Sequence, residues 1–159
     1  MSHPVAVDAM GGDRAPAEVV RGAIRAVEEV EGLRVDLVGS EGAIGKELEA
    51  AGWQGESISL IPATEEIGMG ESPVEAVRAK KDSSIVVGLK RVRDGKSSAF
   101  VSAGNTGAAV AASSLFLRTL PEVTKAGIAV VLKVGVKPLI LMDVAANVEA
   151  KPEHLLQYA

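Results

Sequence analysis

The sequence predicts an α/β fold, with a mainly parallel sheet that carries helices on both faces. Two hydrophobic periodicities alternate along the 159 residues: short apolar runs that indicate buried strands, and longer segments with apolar residues at helical spacing. Strands that alternate with helices are joined by crossover connections, which make the strands parallel and cover both faces of the sheet. Because 47% of the residues are hydrophobic and only 3% aromatic, Val, Ala, Leu and Ile must build the core.

The first half of the chain contains three predicted strands and two predicted helices. The strands are PVAVDAM, LRVDLVG and SISLIPA, and the helices are PAEVVRGAIRAVEEV and EGAIGKELEAAG. Pro16 suits the first helical position, and Gly52 is expected to end the second helix. The apolar face of the first helix is predicted to consist of Val20, Ile24, Val27 and Val30.

The second half begins with a loop, TEEIGMGE, and continues with alternating elements. Ser72 and Glu75 have the spacing of a capping box around Pro73, and Asp82 is predicted to cap the following helix, SSIVVGLKRVRDG. The remaining elements are a strand, SSAFVSAG, a helix, NTGAAVAASSLFLRTL, two strands joined by a tight turn, AGIAVVLKV and KPLILMDV, and a helix, KPEHLLQYA. Since the chain stops inside this helix without a capping signal, we expect it to be a fragment.

Composition excludes several classes of function. Lys and Arg number 17 against 21 Asp and Glu, and this net charge of −4 argues against a nucleic-acid partner. The absence of cysteine excludes disulfides, thiolate metal sites and a cysteine nucleophile within these residues. His3 and His154 lack partners at metal-ligand spacing, so we expect both on the surface and no metal site. With apolar runs too short to span a bilayer and no signal segment, the sequence predicts a cytoplasmic protein.

Polar and small residues follow three of the predicted strands. Ligands of open α/β sheets bind beyond the carboxyl ends of the strands, so these strand exits are the candidate sites. They run from Asp8 to Asp13, from Ser102 to Ala109, and from Asp143 to Asn147. If the first and third strands are neighbours, two carboxylates and an amide converge, and the carboxylates can position a proton or a cation.

The second exit, SAGNTGAA, carries the strongest signal. Ser102, Asn105 and Thr106 supply short hydrogen-bonding groups, while Gly104 and Gly107 permit close approach to the backbone. Free amides at the start of the following helix favour an anion. The alternative is an ordinary strand–helix turn that Asn105 or Thr106 caps.

The first exit and the lysine pair have good structural explanations. Gly11 and Gly12 can simply form a turn, and Asp13 can cap the helix that follows. Asp8 is different, because an aspartate that ends a buried strand must find a partner or face a cleft. In RAKKDSS, Lys80 and Lys81 could contact phosphate, but lysines also suit the last turn of a helix.

Two glycine-rich segments resemble nucleotide-binding motifs without matching them. GSEGAIGKE has the wrong spacing for a P-loop and Glu47 in place of the Ser or Thr. GNTGAA lacks the first G-x-G of the dinucleotide fingerprint. The sequence therefore predicts no nucleotide cofactor.

Three blocks, in this order, closely resemble the PlsX-type phosphate acyltransferases of bacterial phospholipid synthesis: AVDAMGGDRAP, SPVEAVRAKKDSS with VSAGNTGA, and DVAANVEAKPEHLLQYA. The match runs from Val5 to the last residue. The resemblance implies an isocitrate-dehydrogenase/phosphotransacetylase-like fold of two α/β lobes. Residues 1–159 would be its N-terminal part, with the C-terminal half missing. One departure is Ala145, where the family usually has glycine, and a side chain there strains the backbone or narrows the cleft.

The resemblance also implies a reaction and partners. An acyl group passes from acyl carrier protein to orthophosphate, without a cofactor, and the acyl phosphate serves a glycerol-3-phosphate acyltransferase. The protein would be a homodimer, peripheral on the inner face of the membrane. The implied catalytic residues are Asp8, Asn105, Asp143 and Asn147. The implied substrate or phosphate contacts are Gly11, Gly12, Asp13, Lys80, Lys81, Ser102, Gly104, Thr106 and Gly107. Two alternatives stay open: a phosphotransacetylase that uses acyl-coenzyme A, and a non-catalytic fragment that only binds a partner or dimerises.

Overall fold

The computed structural model describes residues 3–144, 149 and 151–159. These residues form two compact units, the first ending at Leu117 and the second running from Arg118 to Ala159. Ala145 and Asn147, which the sequence singles out, lie outside the described residues.

The first unit is built on a four-stranded parallel sheet. Its strands, in spatial order, are β3 (Ile58–Pro62), β2 (Val35–Gly39), β1 (Val5–Asp8) and β4 (Ala99–Val101). Its helices are α1 (Ala17–Glu29), α2 (Glu41–Ala50), α3 (Pro73–Ala79), α4 (Ser84–Arg93) and α5 (Thr106–Phe116). All of these elements were predicted, α3 from the residues at its start and the others from periodicity, and the α/β fold class is confirmed.

Helices cover both faces of the sheet, as predicted. Neighbouring residues of a strand point to opposite faces. Leu37 of β2 packs with Val20 of α1 and Ile44 of α2, whereas Val38, the next residue, packs in a cluster with Val87 of α4. Every residue of β2 is buried, as expected of a central strand in a doubly covered sheet.

Helix termini depart from the sequence prediction in several places. Ser72 is the N-cap of α3, but its side chain makes no capping hydrogen bond, so the predicted capping box is wrong. The N-cap of α4 is Ser83. Asp82 instead accepts hydrogen bonds from the backbone N–H and the hydroxyl of Thr64, at 2.9 and 2.5 Å, and these bonds lower its pKa. The carboxylate therefore satisfies two donors of Thr64 rather than capping the helix.

The start and end of α1 also differ slightly. The helix begins at Ala17, so Pro16 is its N-cap rather than its first helical residue, and no side chain caps it. Asp13 therefore does not cap this helix. Val30 follows the last helical residue and is 52% exposed, so the buried face ends before it.

The second unit contains a hairpin and one helix. β5 (Ala129–Val134) and β6 (Lys137–Met142) pair antiparallel across a tight turn, as predicted, and α6 (Pro152–Tyr158) follows. β6 thus belongs to a separate sheet, and the strand exit at Asp143 is not an exit of the parallel sheet. The predicted surface position of His154 is wrong: the ring is buried, and its Nδ1 accepts a hydrogen bond from the N–H of Lys151 at 3.1 Å.

The described part of the chain contains neither a candidate membrane-spanning helix nor a candidate metal site. No helix there is both long enough and apolar enough to span a membrane. The same residues hold no group of three or more His, Asp or Glu side chains arranged to bind a metal ion.

Candidate functional site

The topology of the parallel sheet brings the first two strand exits together. From β1 the chain adds β2 and β3 on one side and then returns to place β4 on the other, where Val7 pairs with Val101. A reversal of strand order of this kind opens a crevice at the carboxyl ends of the two strands. The segments after β1 and β4 are therefore the walls of the candidate site.

A buried carboxylate ties these two walls together. Asp8 is 2% exposed, and its Oδ2 accepts a hydrogen bond from the hydroxyl of Ser102 at 2.7 Å. Its Oδ1 accepts from the N–H of Met10 at 3.1 Å, while the Ser102 oxygen accepts from the N–H of Gly104 at 3.0 Å. Because the only proton of the hydroxyl points to Asp8, Ser102 has none left to donate to an anion in this arrangement. The pair fixes the two turns relative to each other.

Two glycines allow the turns to approach closely. A Cβ on Gly11 would lie 2.5 Å from Asp8 Oδ2 and 2.7 Å from the nitrogen of Gly104, both well inside contact distance. A Cβ on Gly104 would lie 3.1 Å from the Cα of Gly11. Gly12 has a φ of +111°, a conformation that a residue with a side chain rarely adopts. Clearance at Gly11 and Gly104 is thus a requirement of the observed geometry.

A pocket of about 250 Å³ lies at this crevice. The turn after β1 and the turn after β4 form two of its walls, and the loop between β3 and α3 forms a third. The lining residues are Met10, Gly11, Gly12, Ala15, Glu66, Ile67, Gly68, Met69 and Gly104. The sequence predicts the first two walls but gives no indication of the third.

The first turn of α5 begins directly after Gly104. Asn105 is the N-cap, and its Oδ1 accepts a hydrogen bond from the N–H of Ala108 at 2.9 Å. The N–H groups of Thr106 and Gly107 have no acceptor within the helix and carry its positive partial charge. Gly107 also has a packing role, since a Cβ there would lie 2.6 Å from Cγ of Pro73 on α3.

The other end of the Asn105 side chain holds the loop. Its Nδ2 lies 3.1 Å from the carbonyl oxygen of Gly68, 3.5 Å from that of Met69 and 3.3 Å from that of Glu71. With the side chain buried and both polar ends engaged by the protein, Asn105 joins α5 to the third wall of the pocket. A direct contact between Asn105 and a phosphate stays a prediction.

The two lysines point to protein groups rather than into the pocket. Lys80 Nζ donates to the carbonyl oxygen of Glu66 at 2.7 Å and to Glu71 Oε1 at 2.6 Å. The hydrogen bond from Lys80, followed by that from the N–H of Gly68 at 2.6 Å, lowers the pKa of Glu71. Lys81 Nζ donates to the carbonyl oxygen of Val77 at 3.2 Å. Glu71 escaped the sequence analysis, although an acidic loop followed by a lysine pair was a signal for such an ion pair.

Three predicted site residues remain: Asp13, Asp143 and Asn147. Asp13 is exposed and is not part of the pocket lining. Asp143 belongs to the second unit, where its Oδ1 accepts a hydrogen bond from the N–H of Ile128 at 2.9 Å. Asn147 lies outside the described residues. Their roles in a site stay predictions.

The double role of Asn105 leads to a prediction about stability. Asn105→Ala removes the cap and the loop hydrogen bonds, and we expect the free energy of unfolding to fall by about 2 kcal/mol. Asn105→Asp keeps the capping oxygen and loses only the Nδ2 donor, so about half of that loss is expected. Urea unfolding of the full-length protein measures both. Parent-like stability of Asn105→Asp would show that the contacts with the loop contribute nothing, and equal stability of the two variants would show that the cap contributes nothing.

Comparisons with known proteins identify the family of this chain. A family model described as "Fatty acid synthesis protein" matches residues 4–159. Relatives named phosphate acyltransferase are 48% identical in Desulfitobacterium hafniense, 47% in Heliobacterium modesticaldum and 41% in Halothermothrix orenii. Each alignment covers 98% of this chain and 46% of the relative, so the chain spans about half the length of these proteins. The matched residues include the turns after β1 and β4. The chain belongs to the fatty acid synthesis protein family, as the three ordered blocks of its sequence predict.

Proposed function

We propose that the full-length protein is a phosphate acyltransferase, which transfers a long-chain acyl group from acyl carrier protein to orthophosphate and so supplies acyl phosphate for phospholipid synthesis. The names of the relatives support the reaction class. One observation carries the proposal. The first turn of α5 has backbone N–H groups without an acceptor in the helix, and it begins beside a pocket where Gly11 and Gly104 let two turns approach closely. That combination suits a small anion held close to the backbone.

The reaction needs an anion site and a place for developing negative charge. An oxygen of hydrogen phosphate attacks the thioester carbonyl carbon, so that a carbon–oxygen bond forms and the carbon–sulfur bond breaks. The proton of the hydrogen phosphate ends on the sulfur of the carrier. Catalysis then depends on holding phosphate against the carbonyl and on donors aimed at the oxyanion. Backbone N–H groups and hydroxyls supply both.

In our proposal the phosphate lies at the start of α5. The N–H groups of Thr106 and Gly107 and the Thr106 hydroxyl donate to it, and the helix terminus favours its charge. The carboxylates of Asp8, which is buried, and of Glu66, which lines the pocket, repel an anion. Asp8 and Ser102 then act by fixing Gly104 and the turn that leads into the helix.

The proposal extends to partners and location by family resemblance. The protein would act as a homodimer in the cytoplasm, peripheral on the inner face of the membrane. Its product would pass to a glycerol-3-phosphate acyltransferase. The net charge of −4 gives no reason to expect a nucleic-acid partner.

A direct assay tests the reaction. The full-length protein and the 159-residue chain are incubated separately with long-chain acyl-[acyl carrier protein] and orthophosphate, and acyl phosphate is trapped with hydroxylamine. We expect phosphate-dependent hydroxamate from the full-length protein and none when phosphate is omitted. No product from either protein would refute the proposal. A preference for acetyl-coenzyme A would indicate a phosphotransacetylase instead.

A further inference from the structure

The loop from β3 to α3, residues 63–72, reaches the pocket from the far side of the sheet. β3 is the outermost strand, two positions away from β1, yet the loop contributes Glu66 to Met69 to the pocket lining. A connection without regular secondary structure keeps a defined path only where other groups hold it. The position of the third wall therefore depends on the anchors of this loop.

The first anchor is at the root of the loop. Asp82 binds the N–H and hydroxyl of Thr64, and Glu65 Oε2 accepts a hydrogen bond from the N–H of Asp82 at 2.9 Å. Backbone hydrogen bonds reinforce this contact, from Glu65 to Asp82 at 3.2 Å and from Ser84 to Glu65 at 3.2 Å. Farther along, Ile67 is 8% exposed and packs in the cluster that contains Val77. These contacts hold the loop against α4 and α3 but leave its tip to other groups.

The tip has two further anchors: the Nδ2 of Asn105, described above, and the pair Lys80 and Glu71. One carboxylate oxygen of Glu71 receives both the Gly68 N–H and the Lys80 ammonium, and the same ammonium binds the carbonyl oxygen of Glu66. The pair thereby fixes a donor and an acceptor of the segment that lines the pocket. The Lys80 and Glu71 side chains are 31% and 37% exposed, and a half-exposed ion pair adds little to global stability.

We propose that Lys80 and Glu71 are positioning residues for the anion pocket: they set the Glu66–Met69 wall, and Lys80 does not itself bind the phosphate. The anchoring of the wall rests on these contacts, whereas the anion and the kinetic readout rest on the proposed function. In this proposal the ammonium of Lys80 binds the Glu71 carboxylate and the Glu66 carbonyl oxygen instead of the anion, and Glu71 neutralises its charge. The anion is then held by the neutral donors at the start of α5.

The competing role for Lys80, as a direct phosphate ligand, makes the opposite prediction for Glu71. If Lys80 bound phosphate, removal of the Glu71 carboxylate would free the ammonium for the anion and would lower the KM for phosphate. If the pair positions the wall, loss of either partner releases the same segment. Both single variants then impair phosphate use in the same direction, and the second substitution adds nothing to the first.

The test is a double-mutant cycle in the full-length protein with Lys80→Met, Glu71→Ala and the combination. We expect each single variant to raise the KM for phosphate about tenfold, with a smaller change in kcat, because the wall is displaced rather than the reacting groups removed. The combination should equal the more impaired single variant. The matched controls Glu75→Ala and Lys46→Met make the same chemical changes at exposed helix positions and should leave KM unchanged. A lowered or unchanged KM in Glu71→Ala, or multiplicative effects in the combination, would overturn the proposal.

A readout without catalysis separates this inference from the proposed function. Hydrogen–deuterium exchange of the peptide that contains residues 66–71 should be faster in both single variants than in the parent and the controls, whatever reaction the protein performs. If the parent makes no acyl phosphate but exchange rises in both variants, the proposed function fails and the anchoring role stands. Unchanged exchange in either variant would refute the anchoring role even where acyl transfer is observed.

Discussion

On the proposed function, Gly11→Ala is expected to lower the rate of acyl phosphate formation by the full-length protein on the order of 100-fold. The added methyl group would lie 2.5 Å from Asp8 Oδ2 and 2.7 Å from the backbone nitrogen of Gly104. Neither neighbour can turn aside, because hydrogen bonds hold both Asp8 oxygens and Gly104 meets the methyl with its main chain. The turns after β1 and β4 must move apart, and a displacement of about 1 Å at a reacting centre costs on the order of 100-fold in rate.

The same substitution should destabilise the protein by about 1–3 kcal/mol, as overpacking does elsewhere. Hydroxylamine trapping measures the activity, and urea unfolding measures the stability. Gly45→Ala is the control: it lies inside α2 with nothing within 4 Å of its Cβ position, so we expect unchanged activity and a gain of about 0.5–1 kcal/mol. Parent-like activity in Gly11→Ala would show that the two turns do not need their close contact.

Arg91→Met is expected to cause a large loss of stability. Asp36 lies in the centre of β2 and is 3% exposed. Its Oδ2 accepts hydrogen bonds from Arg91 Nη2 at 2.6 Å and Nε at 3.1 Å, and from the Ser97 hydroxyl at 3.0 Å. Without the guanidinium, a charged carboxylate stays buried with one neutral donor, and such a loss costs about 3–5 kcal/mol. Urea unfolding at neutral pH measures it.

Two comparisons decide whether burial is the cause. Arg93→Met removes a guanidinium from the exposed pair with Asp94 on the same helix, and it should leave the free energy of unfolding unchanged. The double variant Asp36→Leu with Arg91→Met replaces the buried pair with apolar groups and should recover most of the loss. If Arg91→Met were no more harmful than Arg93→Met, the buried pair would not stabilise the sheet.

Hydrophobic periodicity predicts the helices and strands of this protein well because it depends on neighbours in sequence. Each apolar run of the first unit became the expected element, with no end shifted by more than four residues. Periodicity does not predict the order of the strands in the sheet, because no local pattern indicates that β4 returns to lie beside β1. The residues that meet in the site are also far apart in sequence: 94 positions separate Asp8 from Ser102.

The choice of partners by polar side chains is what the sequence does not reveal. Asp82 has the sequence position of a helix cap, yet it binds Thr64. Lys80 was a candidate phosphate ligand, yet it binds Glu71. Such groups have several acceptors or donors within reach, and the tertiary neighbours decide among them. Asp36 escaped notice although it interrupts the apolar strand LRVDLVG. The argument that marks Asp8, a carboxylate in a buried strand that needs a partner, applies to Asp36 unchanged.

The hydrogen bond from Ser102 to Asp8 also bears on the order of folding. The β1–α1–β2–α2–β3 segment can assemble from contacts between consecutive elements, which form early because their loops are short to close. The crevice joins Asp8 and Ser102, which lie 94 residues apart in sequence. It forms only when β4 pairs with β1. A nascent chain that has not yet reached Ser102 can therefore form the β1–β2–β3 sheet but not the crevice between β1 and β4.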